Sequence, residues 1–231
     1  LELLSILQEA ARDCGVDVRF GVRIDHPDRL ADHGLADADV VIGADGINSV
    51  VRNALADEFG TTRSTLTNRF AWYGTEKVFE HGALVFRSLK GGACVAHYYP
   101  YSRTLSTFVA EIDQGAWQAL GMDAMSDDER RKFFERVYAP ELDGYPLISN
   151  NSTYRQFPVI RNRAWSAGKY VLLGDAHTSA HFSIGSGTRI AMEDSVVLAE
   201  SLVTEGTVAQ KLARFAALRD EIPAAIAAGA R

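Results

Sequence analysis

The chain has few of the residues that mark several protein classes. It carries two cysteines, Cys14 and Cys94, far apart in sequence. That excludes a disulfide-dense scaffold, and both are expected to be reduced core thiols of a cytoplasmic protein. Prolines number six, without low-complexity tracts or internal repeats, which excludes collagen-like and disordered chains. No apolar run approaches the ~20 residues needed to span a bilayer. Positive charge is in the minority: 24 basic against 30 acidic side chains give a net charge of −6. Nucleic-acid binding needs clustered Lys and Arg, so it is not expected. The six histidines show no metal-ligand spacing. Ser183 and Ser186 lack the strand-turn-helix elbow of a hydrolase nucleophile.

What is present is ordinary globular material, 47% apolar and 23% charged, enough for one large or two small domains. The first residues already read as the middle of a helix. Leu3, Leu7, Ala10 and Ala11 form one stripe, and no N-cap residue precedes them. The expectation is a piece of a longer protein. This helix runs to Asp13 with Gly15 beyond its end, and Val16–Ile24 alternates as a strand. Residues 25–37 read as loop, and Val40–Ile42 as a short strand buried on both faces. From Asn68 the texture becomes β-rich and aromatic. Residues 69–75, 83–89, 93–99 and 104–111 suggest a four-stranded antiparallel meander. A capping box opens a helix at Ser126, residues 154–160 read as a strand bulged or at an edge by Pro158, and 170–173 as a second buried strand. Long helices are expected at 187–203 and 208–228, with a kink at Pro223.

Two turns carry chemistry. In Asp39-Val-Val-Ile-Gly-Ala-Asp-Gly-Ile-Asn-Ser-Val-Val-Arg52 a strand enters a turn of small residues, with Asp45 just past its carboxyl end. Open α/β sheets bind ligands at that edge, and a short carboxylate there can accept hydrogen bonds from ribose-type hydroxyls; Asp45 as a plain N-cap is the alternative. In Tyr170-Val-Leu-Leu-Gly-Asp-Ala-His177 the pattern repeats, and Gly185-Ser186-Gly187 then opens a helix whose free N–H groups suit an anionic group.

Together these segments resemble the FAD-dependent aromatic hydroxylases, the single-component flavoprotein monooxygenases. Asp39–Arg52 matches that family's Asp-Gly motif, Gly174-Asp175 its Gly-Asp motif, and Asp194 an Asp of the following helix. Residues 180–194, with 68–73 and 98–106, resemble the subgroup acting on salicylyl-CoA and 2-aminobenzoyl-CoA. The resemblance implies an α/β fold: a partial three-layer FAD-binding domain from residues 1–66 and 161–231, with an inserted mixed, mostly antiparallel substrate sheet from 67–160. It implies FAD and NAD(P)H as cofactors and a small aromatic substrate, possibly a CoA thioester. Hydroxylation would use O₂ through a flavin C4a-hydroperoxide. The cofactor-binding residues it implies are Asp45, Gly46, Arg52, Gly174, Asp175, Gly185, Ser186, Gly187, Thr188 and Arg189. Trp72, Tyr73, His97, Tyr99, His181 and Phe182 are candidate substrate contacts; no catalytic acid or base stands out.

The family's opening Gly-x-Gly-x-x-Gly, which holds the FAD pyrophosphate, is not found in these residues, so the chain alone is expected to bind FAD poorly. His177 stands one place early in the Gly-Asp motif, and Phe182, Ser186 and Arg189 replace a Pro, Gln and Asn common in the family. A flavin reductase acting on a C=C bond and a truncated chain without cofactor are the alternatives. The flavin reading requires Asp45 and Asp175 to leave one sheet edge, with the aromatic sheet facing the Gly185–Gly187 loop.

Overall fold

A computed structural model describes residues 2–151 and 153–222. The expected kink at Pro223 and the helix beyond it lie outside these residues. Helix α1 (Glu2–Asp13) ends as the sequence indicates, with Gly15 left-handed at φ 77° and its amide bonded to the Arg12 carbonyl. No residue of α1 is buried, and Leu3, Leu4, Ile6 and Leu7 stand exposed. Val16–Ile24, expected as a strand, forms none. Its Val16, Phe20 and Val22 are exposed, and no strand of the described residues pairs with it. Alternation alone does not make a strand without a ladder to satisfy its N–H and C=O groups. Cys14 is exposed rather than a core thiol, while Cys94 is buried; both are free. Within the expected loop at 25–37, Pro27–His33 forms a 3₁₀ helix.

Strand β1 (Val41–Gly43) leads through a 3₁₀ turn to α2 (Val50–Ala54) and α3 (Ala56–Phe59). Then come β2 (Thr62–Thr75), β3 (Ala83–Leu89), β4 (Gly92–Pro100) and β5 (Ser106–Ile112). Helices α4 (Gln114–Ala119), α5 (Asp127–Val137) and α6 (Ala139–Leu142) follow. The chain continues through β6 (Ile148–Ser149), β7 (Arg155–Arg161), β8 (Ser166–Ala167) and β9 (Tyr170–Leu172), and closes with α7 (Gly187–Leu202) and α8 (Val208–Arg219).

The small sheet has order β1-β9-β8, with β1 and β9 parallel and Gly43 opposite Leu172. The Leu173 amide donates to the Gly43 carbonyl at 3.0 Å, so both ligand-type turns leave the same edge, as the flavin reading requires. On one side Trp165, Val171 and Leu173 pack against Leu198, Leu212 and Phe215 of α7 and α8. On the other, Leu172 meets Val51 and Phe59. Burial of β1 on both faces is not observed: Ile42 is 45% exposed, because β1 is the sheet's outer strand.

The large sheet has order β3-β4-β5-β2-β6, with β7 also on β2, and all its pairs are antiparallel. The four expected strands are present, but not as a simple meander. The tight β3–β4 and β4–β5 connections take the local pairings, which leaves the free edge of β5 for β2. The β2–β7 register shifts between Thr65 and Arg69, next to Pro158, as its sequence suggests. The capping box at Ser126 forms and starts α5. Strand alternation divides the sheet's side chains. Ala71, Tyr73, Ala96, Phe108 and Ala110 join Trp117, Phe134 and Tyr138 of the helices in the main core. Phe70, Trp72, His97, Tyr99, Val109 and Glu111 occupy the alternate positions.

Arg52 joins the two ligand-type turns. It has no exposed surface, and its Nη atoms donate to the carbonyls of Ile47 at 2.7 Å and Ala176 at 3.1 Å and to Asn53 Oδ1 at 3.2 Å. Burial lowers its pKa, aided by the nearby Arg63 and opposed by Asp45. Replacing it with Met keeps volume but leaves buried carbonyls without donors. Arg52→Met should cost about 3 kcal/mol, a fall of roughly 6–12 °C in Tm by thermal denaturation; an unchanged Tm would show that the guanidinium is not what holds the turns.

Candidate active site

The site lies where the turn after β9, the segment leading into α7 and the free face of the large sheet meet. Gly174 is left-handed, at φ 55°, and a Cβ there would come within 2.9 Å of the Ala191 Cβ. Its amide donates to Asp194 Oδ2 at 3.0 Å, and Asp194 Oδ1 accepts from Arg219 Nε at 2.7 Å. Asp194 is 1% exposed, so this buried pair ties α7 and α8 to the Gly-Asp turn. Next to Gly174, Asp175 reaches solvent at the wall of a cleft of about 420 Å³. Desolvation raises its pKa, and a hydrogen bond from the Ala180 backbone opposes the rise.

That cleft is closed by Ala180, Phe182 and residues 185–188 on one side and by Phe70, Trp72, Arg155 and Phe157 on the other. Helix α7 begins here, and Ser186 makes no capping hydrogen bond from its side chain. The first-turn amides at 187–189 have no partner within the helix, and they carry the positive end of a 16-residue dipole. An acceptor carboxylate, a row of amides and aromatic walls form a donor set that fits the polyol and pyrimidine edge of a flavin.

A second cleft, of about 480 Å³, lies beyond Phe182 and is bordered by Trp72, Leu84, His97, Tyr99, Val109 and Gly185. Phe182 stands between the two, with its ring 4.6 Å from that of Phe70, 5.8 Å from Trp72 and 5.2 Å from His97. Trp72, Phe182 and Gly185 border both clefts.

The structure brings together Gly174, Asp175, Gly185, Ser186, Gly187 and Thr188 with Trp72, His97, Tyr99, His181 and Phe182. Asp45 and Gly46 sit on the adjacent turn, where Asp45 Oδ2 accepts from the Val50 amide at 2.7 Å. Arg189 pairs with Glu193 on the outer side of α7, so it offers the cleft only its amide. Two expectations fail. Arg52 is fully enclosed and its Nη atoms are occupied with backbone carbonyls, so its side chain shapes the turns and presents no surface to the cleft. Tyr73 is 4% exposed and turned into the main core, because it alternates with Trp72.

Several residues of the site escape a reading of the sequence. Phe70 and Phe157 wall the flavin-type cleft, and Glu111 lines a third cleft, of about 520 Å³, that shares Leu84 and His97 with the second one. Glu111 Oε1 accepts from Asn68 Nδ2 and Oε2 pairs with His97 Nε2, both at 2.9 Å; His181 Nε2 is 3.8 Å from Oε1. Burial alone would raise the Glu111 pKa, but hydrogen bonds from His97 and Asn68 and the field of the two imidazoles hold it low. Burial lowers the pKa of His181, against the pull of Glu111. A carboxylate in an alternating strand reads as solvent-facing, and only the pairing of Val95 with Glu111 and His97 with Val109 shows the two as diagonal neighbours.

Residues 1–227 match the family model described as the FAD binding domain. The chain is similar to salicyloyl-CoA 5-hydroxylase of a Streptomyces species, at 43% identity over 87% of this chain and 39% of that protein. It is 38% identical to 3-hydroxy-4-methyl-anthranilyl-[aryl-carrier protein] 5-monooxygenase of Streptosporangium sibiricum, over 83% of this chain and 50% of that one. The chain thus spans half or less of the length of these curated relatives. Its fold is similar to that of PqsL of Pseudomonas aeruginosa, solved with 2-aminobenzoylacetate, at a TM-score of 0.63 and 24% identity over 81% of this chain and 53% of that one.

His177 supports the Gly-Asp turn from within. It is 1% exposed and stacked on Trp165 at 3.6 Å, and burial pushes its pKa down to about 3. The unfolded chain takes up this proton near the ordinary value of 6.5, and the folded chain only near 3. The unfolded state therefore binds more protons in that window, and stability falls as pH drops from about 6.5 toward 3. His177→Phe, which keeps the stack, should flatten that slope in urea midpoints measured against pH. An identical slope in the variant would place the acid sensitivity elsewhere.

Proposed function

Because the chain belongs to the FAD binding domain family, we propose that it forms the flavin-facing and substrate-facing part of a FAD-dependent aromatic monooxygenase. Residues 1–66 and 161–231 are assigned to the flavin domain, and 67–160 to an inserted substrate sheet. A flavin held by Asp175 and the amides at 187–189 would supply the redox chemistry, NAD(P)H oxidation and O₂ activation for hydroxylation of an aromatic ring.

The chain's own residues bind, orient and exclude water. Asp175 would accept a hydrogen bond from a ribityl hydroxyl. The amides at 187–189 would face the pyrimidine edge, where the α7 dipole favours negative charge without an added side chain. Asp45 and Gly46, on the neighbouring turn, would border the same cofactor. Trp72, Phe182, His97 and Tyr99 would enclose the aromatic ring, with Leu84 and Val109 completing an apolar wall that keeps water from the reacting centre. His181 would stand outside this wall, since it borders the neighbouring cleft with Glu111.

One observation carries the reading: an acceptor-and-amide cleft suited to a flavin and an aromatic cleft suited to a ring share the Phe182 wall. We assign the substrate to the aromatic acyl thioesters. The names of two relatives, one acting on a CoA thioester and one on a carrier-bound anthranilyl group, support this choice. So does Tyr99 at the cleft, 41% exposed, which leaves room for a long acyl carrier to pass into solvent.

Removing the Asp175 carboxylate should weaken FAD binding. A hydrogen bond to a charged acceptor contributes about 1.5–3 kcal/mol, so in the full-length enzyme Asp175→Ala should raise the Kd by roughly 10- to 150-fold. Flavin fluorescence titration of the wild type and the variant measures this. Equal affinities would overturn the assignment of this cleft to the flavin.

A further inference from the structure

We propose that His97 determines specificity in the aromatic cleft: its Nδ1 accepts a hydrogen bond from an O–H or N–H substituent on the substrate ring, and Glu111 is the positioning residue that sets the imidazole tautomer. The inference rests on the reading of this cleft as the aromatic-substrate site.

The tautomer follows from the hydrogen bonds. Glu111 is held ionised by its partners and can only accept, so the proton between it and His97 lies on Nε2. Asn68 Nδ2 donates to the other oxygen. The third neighbour, His181, accepts from the Ser183 amide at Nδ1, which leaves its own N–H on Nε2, directed at the same carboxylate. Glu111 thus accepts from Asn68 on one oxygen and from His97 on the other, with His181 Nε2 facing it at 3.8 Å. In the neutral Nε2–H ring, which the proposal requires and the NMR experiment below reads, Nδ1 of His97 is a lone pair, and the ring makes no other hydrogen bond among the described residues. His97 is 7% exposed and borders the cleft, among the apolar surfaces of Leu84, Val109, Trp72 and Phe182.

An acceptor in such a setting discriminates by what it lacks. A ring carrying a donor satisfies Nδ1, whereas an unsubstituted ring displaces water from it and leaves it unpaired. The cross-strand rows fix the imidazole in place, since Leu84, His97, Val109 and Trp72 lie opposite one another across β3, β4, β5 and β2.

The test uses the flavin-loaded protein and two probes, the N-acetylcysteamine thioesters of 2-hydroxybenzoate and of benzoate. The wild type should bind the hydroxylated probe roughly 5- to 150-fold more tightly. His97→Phe should abolish that preference by weakening the hydroxylated probe and tightening the benzoyl probe, which no longer leaves an acceptor unpaired. Glu111→Gln, whose amide can donate as well as accept, should reduce the preference and release the tautomer. Nitrogen NMR of histidine-labelled wild type reads the tautomer directly and needs no variant to fold: His97 should be in the Nε2–H form, with its Nδ1 signal shifted by the hydroxylated probe alone. Tight binding of both probes with equal affinity, or an Nδ1–H tautomer, would overturn the inference and leave the aromatic-substrate reading intact. Loss of both probes' affinity in equal measure in His97→Phe would mark His97 as structural and also overturn it. Failure of both thioesters to bind a protein that holds FAD would overturn the substrate reading and this inference together.

Discussion

Arg52 is a cation without contact with solvent, and the site depends on how its charge is satisfied. A guanidinium leaves water at a cost of several kcal/mol unless oxygen atoms replace its hydration. Here they are supplied by backbone carbonyls on two turns, at Ile47 and Ala176. The arrangement works in both directions: the carbonyls stabilise the cation, and the cation keeps the turns at fixed separation. Parallel pairing of β1 with β9 brings the turns to one edge, but three-residue strands are too short to define that edge alone. From this clamp follow the position of Asp175, the entry of the chain into α7 and the placement of Phe182.

The second constraint is strand alternation. One face of the large sheet is filled by helices α4 and α5, which gives the substrate part a core of its own. The other face is left for ligands and for the segment before α7. A residue's role in this sheet is therefore set by parity along its strand. Trp72 and Tyr73 are chemically close and adjacent, yet one borders both clefts and the other packs beside Tyr154 and Phe108.

Much of this was legible in the residues themselves. The Gly-Asp turns, the capping box at Ser126 and the disturbance at Pro158 are local features whose physics is complete within a few residues. The features that escaped depend on partners. Val16–Ile24 alternates like a strand, but alternation states only a preference, and no neighbour of the described residues meets it. Glu111 was missed because a carboxylate in a strand usually marks a wet face; its partners lie 14 and 43 positions away. The place of Arg52 in a motif points to ligand binding, while one of its partners is a carbonyl 124 residues distant. Sequence motifs identify which turns matter; they do not say which side chains face inward.

The position of Phe182 has one more consequence. Its ring, with Trp72 and Gly185, forms the partition between two chambers, so the two share a wall. Any occupant that presses on the ring from one side alters the room and the contact surface offered on the other. Thermodynamic linkage makes this reciprocal: the factor by which the first occupant changes the affinity of the second equals the factor in the opposite direction.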